Sequence, residues 1–206
     1  MREVDGKAEE MVLWVFGYGS IIWKAGFHYD KRRVGFIKGY RRHFHQGSTD
    51  HRGTLANPGR TVTLEPHDDH TSWGVAYRVS GQEAEDIALS YLEVREKEYD
   101  QKAYVDFYFE EDSTEPAISG VLVYIASTDK NSNKNYLGPA PLEMMAHQIV
   151  GAVSPSGPNI EYLFQLETVL LEIGCNDSHV TDLANAVRKV LTCKDGDATS
   201  NGDAKY

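Results

Sequence analysis

Residues 11–79 are built from short apolar and β-branched runs separated by glycine, asparagine, aspartate and proline, and the first segment with convincing helical periodicity comes only at residues 82–99. Strand-like runs fall at 11–17, 33–37, 43–46, 60–64 and 72–79, and two more follow at 103–109 and 120–126. Three helical segments at 141–152, 159–173 and 179–191 form the last third. Grouped strands, one helix among them and helices gathered at the end argue for an α+β fold with a mixed or barrel-like sheet, and against a regularly alternating α/β chain.

The length of 206 residues suits one domain, placed at 11–191, with polar ends at 1–10 and 194–206 that are expected to be disordered. A hydrophobic fraction of 41% supports a sizeable core. The net charge of -10 disfavours a nucleic-acid partner, because phosphate binding needs a basic patch. It also means that any site for an anionic small molecule must carry its own local positive potential. Cys175 and Cys193 are too few for a disulfide framework and lack zinc-ligand spacing, so reduced thiols in the cytoplasm are expected. No signal peptide is evident, and no window approaches the ~18 apolar residues of a membrane span.

The densest signal is Phe16-Gly17-Tyr18-Gly19-Ser20, directly after the first strand. Glycines there can take positive φ and let a ligand approach the backbone, so consecutive N–H groups could form an anion nest, with the Ser20 hydroxyl as a further donor. An isolated Gly-x-Gly is more often a glycine bulge or tight turn. The stretch matches neither a dinucleotide fingerprint, a P-loop nor a serine-nucleophile elbow.

In the helix from Gln82, Ala84, Ile87, Ala88, Tyr91 and Leu92 recur at helical spacing. Taking Ile87 as the origin at ~100° per residue, the apolar arc runs through Leu92 to Leu89, with Arg95 near its middle and Glu96 inside one edge. Glu98 lies at the opposite edge and Glu93 outside the arc. Buried charge is costly unless paired or functional. If instead the helix ends before Arg95, the Arg-Glu-Lys-Glu run is simply solvated, and periodicity does not choose between Glu96 and Glu98.

His43, His45, Asp50 and His51 match no metal-ligand spacing and read as hydrogen-bonded histidines. His67 to His70 reads as a solvated hairpin tip. Arg52 and Arg60 share a loop, and either could supply positive potential or a bidentate carboxylate contact.

Taken together and in order, six stretches resemble the ChaC family of glutathione-specific γ-glutamylcyclotransferases, most of all its plant members. They are Trp14 to Trp23, Gln46 to Thr54, Trp73 to Arg78, Tyr91 to Lys97, Tyr136 to Pro141 and Gly157 to Leu163, within a match that runs from about residue 11 to 191. The resemblance implies the γ-glutamylcyclotransferase-like fold, a small mixed β-barrel flanked by α-helices. It implies that Val15, Phe16, Gly17, Tyr18, Gly19 and Ser20 bind the γ-glutamyl group and that Glu96 is the acid and base, with glutathione as the small-molecule partner and no metal or organic cofactor. Ile21 stands where the family usually has leucine, a change of little volume. Two other readings remain: a cyclotransferase acting on other γ-glutamyl peptides or amines, and a non-catalytic γ-glutamyl-binding regulator.

Overall fold

The computed structural model describes residues 12–110 and 112–200. Among them, five strands close into a barrel in the order β1-β3-β2-β4-β5, with β1 at Val12–Gly17, β2 at Lys31–Ser48, β3 at Gly59–Ser80, β4 at Gln101–Tyr108 and β5 at Ile118–Ile125. Four of the strand pairs are antiparallel, and β1 closes on β5 in parallel through Val15 opposite Leu122. Four helices follow or interrupt the strands: α1 at Gln82–Arg95, α2 at Leu142–Gly151, α3 at Asn159–Glu172 and α4 at Ser178–Ser200. A two-residue ladder, β6 at Val153–Ser154 with β7 at Gly157–Pro158, links α2 to α3.

The expected α+β architecture and barrel are present, but the strands are longer than the sequence punctuation suggests. The runs at 33–37 and 43–46 belong to one 18-residue strand, and those at 60–64 and 72–79 to one of 22. The punctuation between them marks a register shift rather than an end. Lys38 pairs with Thr71 and Tyr40 with Pro66, so the ladder resumes on either side of Gly39 and of an exposed excursion at His67 to Asp69. The histidine-flanked acids are thus a protrusion within β3 rather than a linker between strands.

Burial explains why these segments hold together. Val15 and Phe16 point to opposite faces of β1, as successive strand residues do, yet both are almost fully buried, because the barrel interior covers one face and packed elements the other. Phe16 meets Phe107 at a ring separation of 5.9 Å across the barrel. Leu163, Leu166 and Leu170 of α3 and Val180, Leu183, Ala184 and Val187 of α4 recur at helical spacing and are buried in the same core. These helices pack on each other and on α2, and α2 and α3 also contact β3.

Two further expectations need correction. The buried face of α1 is Glu85, Ala88 and Leu92, while Ile87 is 61% exposed, so the apolar arc is narrower than expected and lacks its isoleucine edge. The spacing of Ala88 and Leu92, one turn apart, sets the face that meets the barrel. In addition, α4 does not stop at Leu191 but continues to Ser200, since no proline interrupts residues 192–200. Of the polar ends expected to be disordered, 1–10 and 194–206, the residues 1–10 and 201–206 lie outside the described residues, and 194–200 continue α4.

Candidate active site

A cavity of about 340 Å³ opens beside the barrel, bordered by the glycine turn, the end of α1, the loop between β2 and β3, and Tyr162 of α3. Of the six residues expected to bind substrate, Phe16, Tyr18, Gly19 and Ser20 border it, whereas Val15 and Gly17 do not. Neither glycine of the turn has positive φ, and Gly19 sits at φ -125°. What the turn requires is space. A Cβ on Gly17 would lie 2.6 Å from Ile21 Cγ2, and one on Gly19 would lie 3.0 Å from both the Tyr162 hydroxyl oxygen and Val62 Cγ2.

After Gly19 the chain tightens into a 3-10 turn at Ser20–Ile22, with Ile22 N–H donating to the Gly19 carbonyl and Lys24 N–H to that of Ser20. The first amides of such a turn have no partner within it, so those of Gly19 to Ile21 are available to a ligand in the cavity they border. Behind the turn stands Arg42, whose side chain is completely buried. Its Nε donates to the Tyr18 carbonyl at 2.9 Å, its Nη1 to Asp177 Oδ2 at 2.7 Å and its Nη2 to the Trp73 carbonyl. The guanidinium therefore braces the turn from behind, with its charge balanced by Asp177.

Glu96 is the residue that ends α1. Its N–H donates to the Leu92 carbonyl at 2.8 Å and its own carbonyl accepts from Tyr99 N–H at 2.8 Å, so the backbone is held on both sides while the carboxyl borders the cavity. Only 12% of the side chain is exposed, and burial raises its pKa above the ordinary glutamate value, against the pull of Arg95. Arg95 Nε lies 3.1 Å from Glu96 Oε1. The same guanidinium donates to Ser20 Oγ at 2.9 Å and to the carbonyls of Lys24 and Ala25, which ties the acid to the glycine turn.

Glu98 also borders the cavity, with its Oε1 accepting from Thr49 Oγ1 at 3.0 Å and Asn135 Nδ2 at 3.3 Å. Burial and the nearby Asp50 raise its pKa too. Glu93 is half exposed and paired with Lys102. Geometry thus removes Glu93 from the cavity, and the two acids left open by periodicity both face it. They differ in their neighbours: Glu98 is held by neutral donors, Glu96 by the cation that also grips the turn.

The two loop arginines separate cleanly. Arg60 is buried and committed to Gln148 at 2.7 Å and to the carbonyls of Phe44 and Gly138 at 2.8 and 3.0 Å, so it holds α2 and the 136–141 segment to the barrel. Arg52 borders the cavity. Four tyrosines besides Tyr18 border the cavity: Tyr91 and Tyr99 flank Glu96 in the chain, whereas Tyr124 and Tyr162 come from distant segments and were not legible as site residues. Burial raises the phenol pKa of Tyr18, Tyr99 and Tyr162, and the hydroxyls of Tyr18 and Tyr99 donate to the carbonyls of Tyr124 and Val62. The tyrosine part of the wall is aromatic, and among the described residues the buried Tyr124 hydroxyl has no hydrogen-bond partner.

His43 and His45 do share a face, stacked at 4.5 Å, but Asp50 and His51 lie near the cavity and not with them. Their partners are His179, Glu65 and Tyr136, which sequence spacing could not reveal: His45 Nδ1 is 2.8 Å from Glu65 Oε1, and the Tyr136 hydroxyl donates to the same oxygen at 2.9 Å.

Known proteins resemble this chain in sequence and in fold. The sequence profile of the family described as ChaC-like protein matches residues 13–190. A protein of Arabidopsis thaliana named gamma-glutamylcyclotransferase 2-3 is 62% identical over 182 residues, 88% of this chain and 92% of its own length. Glutathione-specific gamma-glutamylcyclotransferase 1 of Mus musculus is 42% identical over 193 residues, 91% of this chain and 83% of its own. The crystal structure of a yeast gamma-glutamyl cyclotransferase specific to glutathione superposes with a TM-score of 0.77 at 30% identity, covering 86% of this chain and 96% of that one. The family match and the 62% identity over 88% of the chain place it plainly: the chain belongs to the ChaC-like protein family.

Proposed function

We propose that this protein is a glutathione-specific γ-glutamylcyclotransferase, acting on glutathione in the cytoplasm, with Glu96 as its single acid and base. The observation that carries this reading is the buried Glu96 carboxyl, coupled through Arg95 to Ser20 of a turn that borders the same cavity. The names of the relatives at 62% and 42% identity support the reaction class.

In the reaction, the α-amine of the γ-glutamyl group attacks its own γ-carbonyl carbon. A five-membered ring forms, the C–N bond to cysteine breaks, and 5-oxoproline and cysteinylglycine result without consumption of water. Two protons leave the attacking nitrogen, starting from the ammonium form, and two arrive on the departing one. The exchange is balanced, so one carboxylate can take protons and return them. A raised pKa suits both duties, because an ordinary glutamate would be a weak base and, once ionised, rarely an acid near neutrality.

The amides of Gly19 to Ile21, backed by Arg42, would hold the α-carboxylate and so bring the amine within reach of the γ-carbonyl. Phe16 and the tyrosine wall exclude water from the ring-closing atoms. The chemistry described needs no metal or organic cofactor.

The test is to incubate the purified protein with reduced glutathione and quantify both products, with Glu96→Gln alongside. Equimolar 5-oxoproline and cysteinylglycine are expected from the wild type, and at least ~100-fold less from the variant with binding retained. Full turnover by Glu96→Gln, with loss in Glu98→Gln, would move the acid and base to Glu98.

A further inference from the structure

Glutathione carries two carboxylates, and the turn accounts for one. Four cationic or potentially cationic side chains border the cavity: Lys24, His51, Arg52 and Arg95. Arg95 has its donors committed to Glu96, Ser20 and the Lys24 and Ala25 carbonyls. Lys24 is exposed, so water screens it, and His51 is 58% exposed and sits beside Asp50. Arg52 differs from all three. Only its Nη1 is engaged, weakly, at 3.5 Å from the Ser156 carbonyl and 3.4 Å from that of Pro158. Among the described residues its Nε and Nη2 have no hydrogen-bond partner, which leaves one edge of a planar, half-buried guanidinium open.

The position of that edge fits the far end of the substrate. Arg52 lies 5.7 Å over the Tyr162 ring, and the hydroxyl of the same ring is what a Cβ on Gly19 would meet at 3.0 Å. One tyrosine ring therefore spans the interval between the turn and the guanidinium. An extended tripeptide reaches about 10 Å, enough to bridge that interval.

We infer that Arg52 receives the terminal carboxylate of the leaving peptide and is the residue that makes the cavity prefer a tripeptide ending in a free carboxylate. This rests on the cyclotransferase reading above and adds to it the determinant of leaving-group choice. Arg52 takes no part in ring closure. Its loss should therefore raise KM for glutathione while leaving the pH profile of turnover in place.

The experiment compares glutathione with its analogue capped as the glycine amide, in wild type, Arg52→Ala and Arg52→Lys, with 5-oxoproline release as the readout. The wild type should use the amide about 10- to 100-fold less well in kcat/KM, mostly through KM, and Arg52→Ala should erase that difference by weakening glutathione alone. Arg52→Lys should restore part of it, since it keeps the charge but not the fork. Equal use of both substrates by the wild type overturns the inference, and that comparison needs no variant to fold. An equal slowing of both substrates in Arg52→Ala also overturns it, assigning Arg52 to the 154–158 loop instead. Failure of the wild type to release 5-oxoproline from glutathione at all would count against the cyclotransferase reading, a distinct result.

Discussion

Arg42 Nε donates a 2.9 Å hydrogen bond to the carbonyl of Tyr18, so a fully buried cation on β2 fixes the turn that faces the cavity. The same guanidinium pairs with Asp177, just ahead of α4. Arg42→Met should therefore cost about 3 kcal/mol in urea unfolding, toward the low side for a broken buried pair because Asp177 is 19% exposed and can hydrate. Asp177→Ala leaves the cation itself unpaired and should cost at least as much. A folded Arg42→Met with an unchanged KM for glutathione would show that the turn does not depend on its backing.

The raised pKa of Glu96 predicts where activity fails in acid. The base form is lost as pH falls through a value above the ordinary 4.5, so the acid limb of kcat/KM should lie above that of an exposed glutamate. Burial is the main cause and Arg95 opposes it, so Arg95→Met should move the limb to still higher pH. Product release measured from pH 4 to 9 checks both points, and an unshifted limb in the variant would separate Arg95 from the acid.

The same group has a consequence for stability. An acid whose folded pKa exceeds its unfolded pKa disfavours the folded state above that folded value, and the penalty vanishes below the unfolded one. Glu96→Gln should then melt at a higher temperature than wild type at pH 8, with the gain shrinking to nothing as pH falls to about 4. Scanning calorimetry at several pH values reads this directly.

The histidines on the opposite side of β2 should behave the other way. Burial and mutual repulsion lower the pKa values of His43 and His179 to about 4. A base with a lowered folded pKa contributes stability that is full above its unfolded value near 6.5 and is lost as pH falls toward 4. Wild type should lose melting temperature across that window, and His179→Leu should flatten the slope. Among the described residues the buried His43 Nδ1 has no hydrogen-bond partner.

Gly19→Ala tests the turn as a matter of space. The new methyl would press on the Tyr162 hydroxyl and Val62 at 3.0 Å, costing about 1–3 kcal/mol if the wall yields and narrowing the cavity if it does not. A rise in KM with little change in melting temperature is the expected pattern, while an unchanged KM would mean that the ligand does not approach the backbone there.

What the sequence disclosed about this site was whatever is local in the chain. Gly17 to Ser20 announce a tight turn, and Arg95 and Glu96 stand out as charges at the end of an amphipathic helix. The arginine loop at 52–60 was visible as charge, but which arginine faces the cavity depends on Gln148 and Gly138, which claim Arg60. Tyr162, Tyr124 and Asp177 look like ordinary helix, strand and cap residues, because their partners lie across the fold. The φ values of the turn were misjudged for a similar reason: the demand for glycine comes from Ile21, Val62 and Tyr162 as neighbours and not from the local backbone.

The pairing of Arg42 with Asp177 spans 135 residues and so imposes an order on synthesis. A ribosome releases Arg42 long before the carboxylate that neutralises it exists, and a nascent chain that closed its barrel early would be enclosing a bare cation. The last assembly step must therefore await the segment ahead of α4. Any translation stop before residue 177 should leave Arg42 without its carboxylate, however complete the strands around it.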